Sequence, residues 1–330
     1  MTLILGAIAP NHAFHVSDRL VTRRHGTTYQ PFDTDSNKTV VFRAKDAIVA
    51  IGYSGLAFLD GMPTDTWITN SLLGQRKQEY ASICSLADGS YKWSGIDEAL
   101  RRLKNDYEDT YKRFTRVEHK AGPQFFNIVG WMYDRRRRRH RPFHCEMVSD
   151  QSHPGQLKTN YGKHSWAWDR QLMLQTTPNI ANEESKWAME NLVKQGLQSP
   201  DTFEKILVEV VRRVSQSSTT VGSICTCVRI CPFSDKQVLI RFANPETEGL
   251  ILPASSGKKK VTIEAYTPYI IAPPTVWAPS YVHGGDGWTQ EALGYKFSWK
   301  LDGLEREKSP TQFFRGTQPR PHDPLNKRLK

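Results

Sequence analysis

The sequence lacks long hydrophobic runs. Of its 330 residues, 38% are hydrophobic and 24% are charged, and no apolar stretch approaches the roughly 20 residues that a membrane-spanning helix needs. The apolar opening at residues 3–9 has no basic residue before it and ends at Pro10, so it lacks the pattern of a secretion signal. We therefore predict a cytoplasmic protein with no membrane partner.

Cysteine is also scarce. The chain has five cysteines, an odd and unevenly spread set, which favours reduced thiols over a disulfide framework. Three of them, Cys225, Cys227 and Cys231, would share one face of a strand, but no fourth ligand follows at a spacing typical of zinc sites. We predict buried strand cysteines, no metal and no cofactor.

Basic residues are abundant but concentrated. The net charge is +11, and residues 251–330 hold 12 basic and 7 acidic side chains, while residues 135–139 and Arg141 supply six arginines. A nucleic-acid-binding domain would spread such charge along one face with aromatic residues interleaved. The pattern instead indicates a charged loop and a charged tail. It argues against nucleic acid and leaves other anionic partners open.

Short apolar segments separated by turn residues predict an α+β fold. Residues 3–9 with 13–17, and 39–43 with 47–52, predict two hairpins, and the polar residues 21–37 between them predict a longer loop. Strands that are apolar on both faces need a sheet covered on both sides. Helices are predicted near 64–73, at 94–116 with Ser94 as N-cap, and at 182–196 and 201–214; further strands are predicted at 124–133, 143–148, 221–231 and 237–242.

The order of strands, helices, strands, helices and strands predicts a four-layer αββα sandwich. We predict that residues 1–245 form this domain and that residues 246–330 form a C-terminal extension. Aromatic residues continue to about Trp299, so the extension is expected to dock on the domain to about residue 300 and to end in a flexible basic tail.

The N-terminus carries the sharpest chemical signal. Removal of Met1 would leave Thr2 as the first residue, with an α-amino group beside its own hydroxyl. An α-amine has a pKa of about 8, so near neutral pH it can accept the hydroxyl proton and activate Thr2 as a nucleophile. Asp18 and Lys38 suit this chemistry, since a buried ammonium held by a carboxylate would favour the alkoxide.

These residues resemble a known family. The segments around Thr2, Val16-Ser17-Asp18-Arg19, Asn37-Lys38-Thr39 and Ala50-Ile51-Gly52-Tyr53-Ser54-Gly55 look like the opening of proteasome β-type subunits and their bacterial relatives, which are N-terminal-nucleophile hydrolases. The spacing of Asp18 from Thr2 and of Gly52 from Lys38 matches that family. The resemblance implies Thr2 as nucleophile and base, Lys38 as activator, Asp18 as its partner, and the Gly52 N–H as oxyanion donor.

The resemblance also implies an αββα fold, hydrolysis of peptide or amide bonds, and assembly into homo-oligomeric rings, with an unfoldase as a further partner. Thr22 and Tyr53 are predicted as additional substrate-binding residues. Alignment on Gly222 places Ser218 where the family carries an aspartate that supports the threonine amine. Ser218 is therefore assigned to the binding site.

Three alternatives remain open. A catalytically inactive scaffold of the same fold is favoured by the absent aspartate. A basic polyanion-binding protein is favoured by the arginine run, and a small-amide hydrolase is open because the fold does not fix the substrate.

Overall fold

The computed structural model describes residues 2–25, 27–34, 36–80, 83–113, 123–149, 152–162, 173–176, 182–233, 238–243, 262–279, 281–285, 289–292, 295–298 and 312–314. Its helices are α1 (Thr64–Leu73), α2 (Ile96–Arg113), α3 (Asn182–Lys194) and α4 (Pro200–Ser217). Its strands are β1 (Ile4–Ala9), β2 (His12–Asp18), β3 (Val21–His25), β4 (Thr28–Asp33), β5 (Thr39–Arg43), β6 (Ala47–Ser54), β7 (Phe58–Leu59), β8 (Met62–Pro63), β9 (Ile83–Ser85), β10 (Phe125–Asp134), β11 (Arg139–Ser149), β12 (Leu157–Tyr161), β13 (Met173–Thr176), β14 (Cys225–Ile230), β15 (Val238–Ala243), β16 (Thr262–Tyr266), β17 (Tyr269–Ala272), β18 (Thr275–Trp277), β19 (Tyr281–Gly285), β20 (Thr289–Ala292), β21 (Tyr295–Ser298) and β22 (Gln312–Phe314).

Two large sheets form the centre of the molecule. The first has the order β13-β1-β2-β14-β15-β21-β20, and the second has the order β12-β11-β10-β6-β5-β17-β18-β9. Hairpin neighbours pair antiparallel, as in β1–β2 and β5–β6. We name the two large sheets the N-terminal sheet, which contains β1, and the central-strand sheet, which contains β6.

Three apolar clusters show how the layers stack. One lies between the two sheets and includes Val41, Val129, Trp131 and Ile240. A second joins the central-strand sheet to α1 and α2, and a third joins the N-terminal sheet to α3 and α4. Both faces of each sheet are therefore covered, which explains strands such as β1 in which every residue is buried. The predicted four-layer αββα sandwich is confirmed.

The amphipathic helices α2 and α4 bury the positions that the sequence pattern predicts. Helix α4 begins behind Ser199, whose Oγ accepts from the Thr202 N–H at 3.0 Å, and Pro200 takes the first helical position. Helix α2 begins two residues after the predicted cap. The Ile96 N–H donates to Asp46 Oδ1 at 2.8 Å, so a carboxylate from the β5–β6 turn caps this helix.

The prediction of a loop at residues 21–37 is wrong. Strands β3 and β4 pair antiparallel and form a small two-stranded sheet of their own. Pro31 lies opposite Thr22, and the register shifts between Val21 and Thr22. A proline and many polar side chains lower the strand signal of a hairpin that stands outside both large sheets, which is why the pattern suggested irregular structure.

Residues of the predicted extension supply strands to both large sheets. Strand β17 pairs parallel with β5, and β21 pairs parallel with β15. The Tyr269 hydroxyl lies 3.1 Å from Thr66 Oγ1 in α1. Much of 246–330, including its end, lies outside the described residues, so the domain boundary and the flexible tail stay predictions. None of the described helices is long and apolar enough to cross a membrane.

Candidate active site

The site begins at the open end of the β1–β2 hairpin, away from its turn. Ile4 pairs with Ser17, and the backbone ladder continues one step further, with the Asp18 N–H donating to the Leu3 carbonyl at 3.2 Å. The Leu3 N–H in turn donates to Asp18 Oδ1 at 2.9 Å. Asp18 therefore holds the residue directly after Thr2, which fixes the position of the predicted nucleophile.

The Asp18 carboxylate is fully buried and saturated with donors. Besides the Leu3 N–H on Oδ1, its Oδ2 accepts from the Leu20 N–H at 3.1 Å, the Gly222 N–H at 3.1 Å and Lys38 Nζ at 2.9 Å. Several donors compensate a buried carboxylate for the water it has lost. Asp18 thus ties four separate segments to one point.

Lys38 is the cationic member of this cluster. Its side chain is 2% exposed and donates to Asp18 Oδ2 and to the Leu20 carbonyl. Burial lowers the pKa of the Lys38 ammonium, and the Asp18 carboxylate opposes that shift. A lysine has three N–H groups, and within the described chain two of them are used by these oxygens.

Gly52 lies inside β6, with Thr39 on one side and Asn127 on the other. The Tyr53 N–H donates to the Lys38 carbonyl at 3.1 Å. Because backbone N–H groups alternate between the two edges of a strand, the Gly52 N–H points the other way, to the Asn127 carbonyl of β10. This ladder position does not suit the oxyanion role predicted for Gly52.

The absence of a side chain at Gly52 has a packing cause. A Cβ atom there would lie 2.0 Å from His15 Nε2 and 3.0 Å from Ile4 Cγ2. His15 is fully buried between the sheets, and its Nδ1 lies 3.2 Å from Thr39 Oγ1, which is 3.0 Å from Ser17 Oγ. Burial lowers the pKa of His15 to about 3. The His15 imidazole is therefore uncharged at neutral pH.

The end of β6 is nearest to Thr2. Ser54 Oγ donates to the Thr2 carbonyl at 3.3 Å, and Ser54 with Phe125 is the last pair of the β6–β10 ladder. The chain then turns at Gly55, where φ is +118°, a value that side-chain-bearing residues rarely adopt. The Gly55 N–H thus lies beyond the ladder that engages Gly52.

A pocket opens beside the same segments. Its walls include apolar side chains of Val21, Phe32 and Phe58, and the carboxylates of Asp33 and Asp65 also line it. Asp33 acts electrostatically on Lys38 and, like Asp18, opposes the lowering of the Lys38 pKa by burial. The pocket therefore lies next to the cluster. Its cavity volume is about 30 Å³, and about 440 Å³ when the open mouth is included.

The three predicted binding residues have different surroundings. Tyr53 lines the pocket, but its hydroxyl is buried and donates to the Asn37 carbonyl at 2.8 Å. Thr22 is half-buried in β3, four residues beyond Asp18. Ser218 follows α4, and its Oγ lies 3.0 Å from Thr220 Oγ1 and accepts from the Thr220 N–H at 3.3 Å. Its hydroxyl therefore takes part in a local turn.

Comparison with known proteins finds no matching family model and no matching curated sequence. Solved structures do resemble the chain. They include Anbu from Pseudomonas aeruginosa in a helical assembly, with 9% identity, a TM-score of 0.41, and coverage of 69% of this chain and 81% of that one. They also include Anbu, termed an ancestral beta-subunit, from Yersinia bercovieri, with 11% identity, a TM-score of 0.39 and coverage of 73% and 86%. A third is HslV from Trypanosoma brucei, with 13% identity, a TM-score of 0.37 and coverage of 69% and 99%.

Identities this low concern the fold alone, and the site rests on its own contacts. Asp18 contacts both Lys38 and the residue that follows Thr2, so three segments of the described chain meet at this carboxylate.

Several residues of the site are missing from the sequence prediction. His15, Ser54 and Gly222 each contact the cluster or its immediate neighbours. Asn37 is anchored by its Nδ2 on the Thr267 carbonyl at 2.7 Å, a contact across 230 positions. Only Gly55 had a visible signal, a glycine following the end of an apolar strand, while the other contacts depend on strand pairing between distant segments.

Proposed function

We propose that the protein is a threonine-dependent hydrolase of peptide or other amide bonds, acting through an acyl-enzyme on Thr2. The observation that carries the proposal is the buried Asp18–Lys38 pair, with Asp18 hydrogen-bonded to the backbone N–H that follows Thr2. An ion pair that only stabilised the fold would not need to lie beside the N-terminal residues of the chain. Here the pair is hydrogen-bonded to Leu3, directly after the threonine that becomes N-terminal when Met1 is removed.

The chemistry follows from these groups. The free Thr2 amine accepts the proton of Thr2 Oγ, and the positive charge of Lys38 stabilises the alkoxide that attacks the substrate carbonyl carbon. The tetrahedral oxyanion collapses to an ester on Oγ, and the ammonium of Thr2 returns its proton to the leaving amine. Water then attacks the ester, assisted by the same amine, and releases the acid.

We assign the oxyanion donor to the end of β6. The Gly52 N–H faces β10, whereas the Gly55 N–H lies beyond the last ladder pair, close to where Ser54 contacts the Thr2 carbonyl. A backbone N–H at this place can donate to the developing oxyanion. Gly52 then serves as the contact surface for His15.

The pocket lined by Val21, Phe32 and Phe58 is the natural place for the substrate side chain next to the scissile bond. Its walls favour an apolar group, and the carboxylates of Asp33 and Asp65 oppose an acidic one. A peptide with an apolar residue at this position is thus the expected substrate, and small apolar amides are a second class.

We also propose a homo-oligomeric assembly in the cytoplasm. The resemblance to proteasome-type subunits implies a ring, and Anbu from Pseudomonas aeruginosa forms a helical assembly. A ring or helix of such subunits would restrict access to the site. An unfoldase partner stays a prediction of the resemblance.

A catalytically inactive scaffold is the competing candidate, and Ser218 favours it. A serine engaged with Thr220 stands where the resemblance implies an aspartate that supports the amine. Peptide hydrolysis by the wild type, Thr2→Ser and Thr2→Ala decides between the two. A hydrolase retains turnover in Thr2→Ser and loses it in Thr2→Ala, and Thr219→Ala at an exposed position is the control. Absence of turnover in wild-type protein that has lost Met1, across peptides and small amides, would favour the scaffold.

A further inference from the structure

The opposite end of the sandwich carries a surface that the hydrolase does not use. Met132 of β10 pairs with Ala47 at the start of β6, whereas Phe125 pairs with Ser54 at its end. At about 3.3 Å per residue, the β10–β11 tip lies about 30 Å along the strands from the end of β6 that contacts Thr2. We call this region, residues 43–46 and 131–141 with Pro232 and Phe233, the turn surface.

The turn surface is strongly basic. Eight of its side chains are basic and exposed: Arg43, Lys45, Arg135, Arg136, Arg137, Arg138, Arg139 and Arg141. Its two carboxylates accept hydrogen bonds from backbone groups, and Asp134 Oδ2 also lies 4.0 Å from Arg137 Nε. Asp46 caps α2 through the Ile96 N–H, and Asp134 Oδ1 accepts from the N–H groups of Arg136 at 3.0 Å and Arg137 at 3.1 Å. The basic side chains far outnumber these carboxylates, which leaves positive charge for an external anion.

Aromatic rings belong to the same surface: Tyr133 and His140 lie on the arginine hairpin itself, and Phe233 comes from a distant segment. Phe233 is 56% exposed and Tyr133 40% exposed. The ring of His140 lies 5.2 Å from Tyr133 and 5.7 Å from Phe233 between centroids. Along β11, His140 alternates with Arg139 and Arg141, so these two guanidinium groups lie on the face opposite the rings, and the basic residues on the ring side are Arg43 and Lys45.

A cavity of about 170 Å³ opens among these rings. Its lining includes Arg43, Lys45, Asp46, Tyr133, His140 and Pro232. Burial lowers the pKa of His140, so at neutral pH its ring is an uncharged stacking surface. Cationic side chains next to exposed rings and a cavity fit a planar base joined to a phosphate.

We propose that the turn surface binds single-stranded nucleic acid, with the arginines on the phosphates and the rings of Tyr133, His140 and Phe233 stacking on bases. Single strands fit better than a duplex because stacking requires unpaired, accessible bases. The sequence pattern argued against nucleic acid because it shows only part of this surface: Tyr133 and His140 flank the arginines, whereas Phe233 reaches the hairpin only through the packing of the two sheets.

The test is fluorescence anisotropy of the full chain with a short fluorescein-labelled oligothymidylate, at several salt concentrations, and with heparin as a competitor without bases. In a triple variant, Arg135→Gln/Arg136→Gln/Arg137→Gln, the slope of log Kd against the logarithm of the salt concentration should fall by about 2. Each phosphate contact on a single strand contributes roughly 0.7 to that slope. Its charge-matched control is Arg76→Gln/Arg101→Gln/Arg113→Gln, all exposed and on the α1–α2 side, which should leave the slope unchanged.

A second variant separates stacking from charge. Phe233→Ala should weaken oligothymidylate binding about tenfold, the loss expected when one base loses an aromatic platform, and should leave heparin binding unchanged. Tyr29→Ala, an exposed aromatic on β4, is the control. No binding at low salt, binding that survives the triple substitution, or an equal loss of heparin and oligothymidylate binding in Phe233→Ala would each overturn the proposal. Thr2→Ala should bind as the wild type does, whatever its activity.

Discussion

The two ends of the sandwich use charge in opposite ways. At the site end, one carboxylate and one ammonium are both nearly inaccessible to water, and Asp18 alone accepts four hydrogen bonds. At the turn surface, arginines 135–139 are exposed to water. A buried charge has a large effect on the stability of the fold, in either direction. An exposed, hydrated charge has little effect on stability and can bind an external partner.

The largest effect is expected from breaking the buried pair. Asp18→Ala should lower the free energy of unfolding by about 3–5 kcal/mol, because it leaves the Lys38 charge buried and three donors unpaired. Asp109→Ala is a matched control, since its ion pair with Lys112 has the same 2.9 Å distance but is exposed. That variant should change by less than about 1 kcal/mol. Equal losses in urea unfolding would show that burial is not what separates the two ends.

His15 should make the site end sensitive to acid. Its pKa is near 6.5 when unfolded and about 3 when folded, so between these values the unfolded chain holds a proton that the folded chain does not. Stability is therefore complete above about pH 6.5 and falls as the pH drops, by about 1.4 kcal/mol per pH unit.

His15→Gln should reduce that slope by the contribution of one proton, and exposed His153→Gln should not. His12, with a pKa of about 4, contributes to the slope in all three proteins. Urea unfolding from pH 7 to pH 4 gives the slopes. A wild-type slope unchanged by His15→Gln would contradict the neutral buried imidazole.

A double substitution tests the packing role of Gly52. Gly52→Ala should cost about 1–3 kcal/mol, because the new Cβ lies 2.0 Å from His15 Nε2. In the background of His15→Ala, the same substitution should cost much less, since the clashing ring is absent. If the two substitutions lower the free energy of unfolding additively, the clash with His15 is not the reason for glycine at position 52. The oxyanion role predicted for the Gly52 N–H would then be the remaining explanation.

Substrate preference should follow the pocket. Peptides with leucine before the scissile bond should be cleaved about tenfold or more faster than peptides with glutamate, which would approach Asp33 and Asp65. Asp33→Asn should narrow that ratio, and exposed Asp88→Asn should not. Values of kcat/KM for the two peptides measure it, and a preference for glutamate would place the substrate side chain elsewhere.

The smallest effect on stability is expected at the turn surface. Replacing Arg135, Arg136 and Arg137 by glutamine should change the free energy of unfolding by no more than about 0.5 kcal/mol per position, since exposed side chains contribute little. Urea unfolding of the triple variant is the measurement. A loss comparable to that of Asp18→Ala would mean that the turn arginines support the fold.

Local patterns predicted the elements whose signals are local. The hairpins around Pro10 and Asp46, the arginine-tipped hairpin and the long helices follow from alternation, turn residues and apolar spacing. The β3–β4 hairpin was missed because its polar residues and Pro31 resemble a loop. Capping of α2 by Asp46 was missed because the donor and the acceptor lie 50 positions apart.

The site was predictable in its ionised residues and not in its backbone. The structure brings Asp18 and Lys38 into contact, as the pairing inferred from the sequence expected, and their catalytic roles stay predictions. The orientation of the Gly52 N–H depends on the register of β6 between β5 and β10, and no single segment contains that register. The place of Phe233 in the turn surface was hidden for a similar reason, because Phe233 is distant in sequence from the arginine hairpin.

The central claim is that Thr2 becomes an N-terminal nucleophile. Intact-mass measurement of the purified protein before and after a peptide epoxyketone, which reacts with an N-terminal threonine through both its amine and its hydroxyl, tests it most directly. The account predicts loss of Met1 and a single adduct that is absent in Thr2→Ala. A chain that retains Met1, or an adduct that persists in Thr2→Ala, would contradict it.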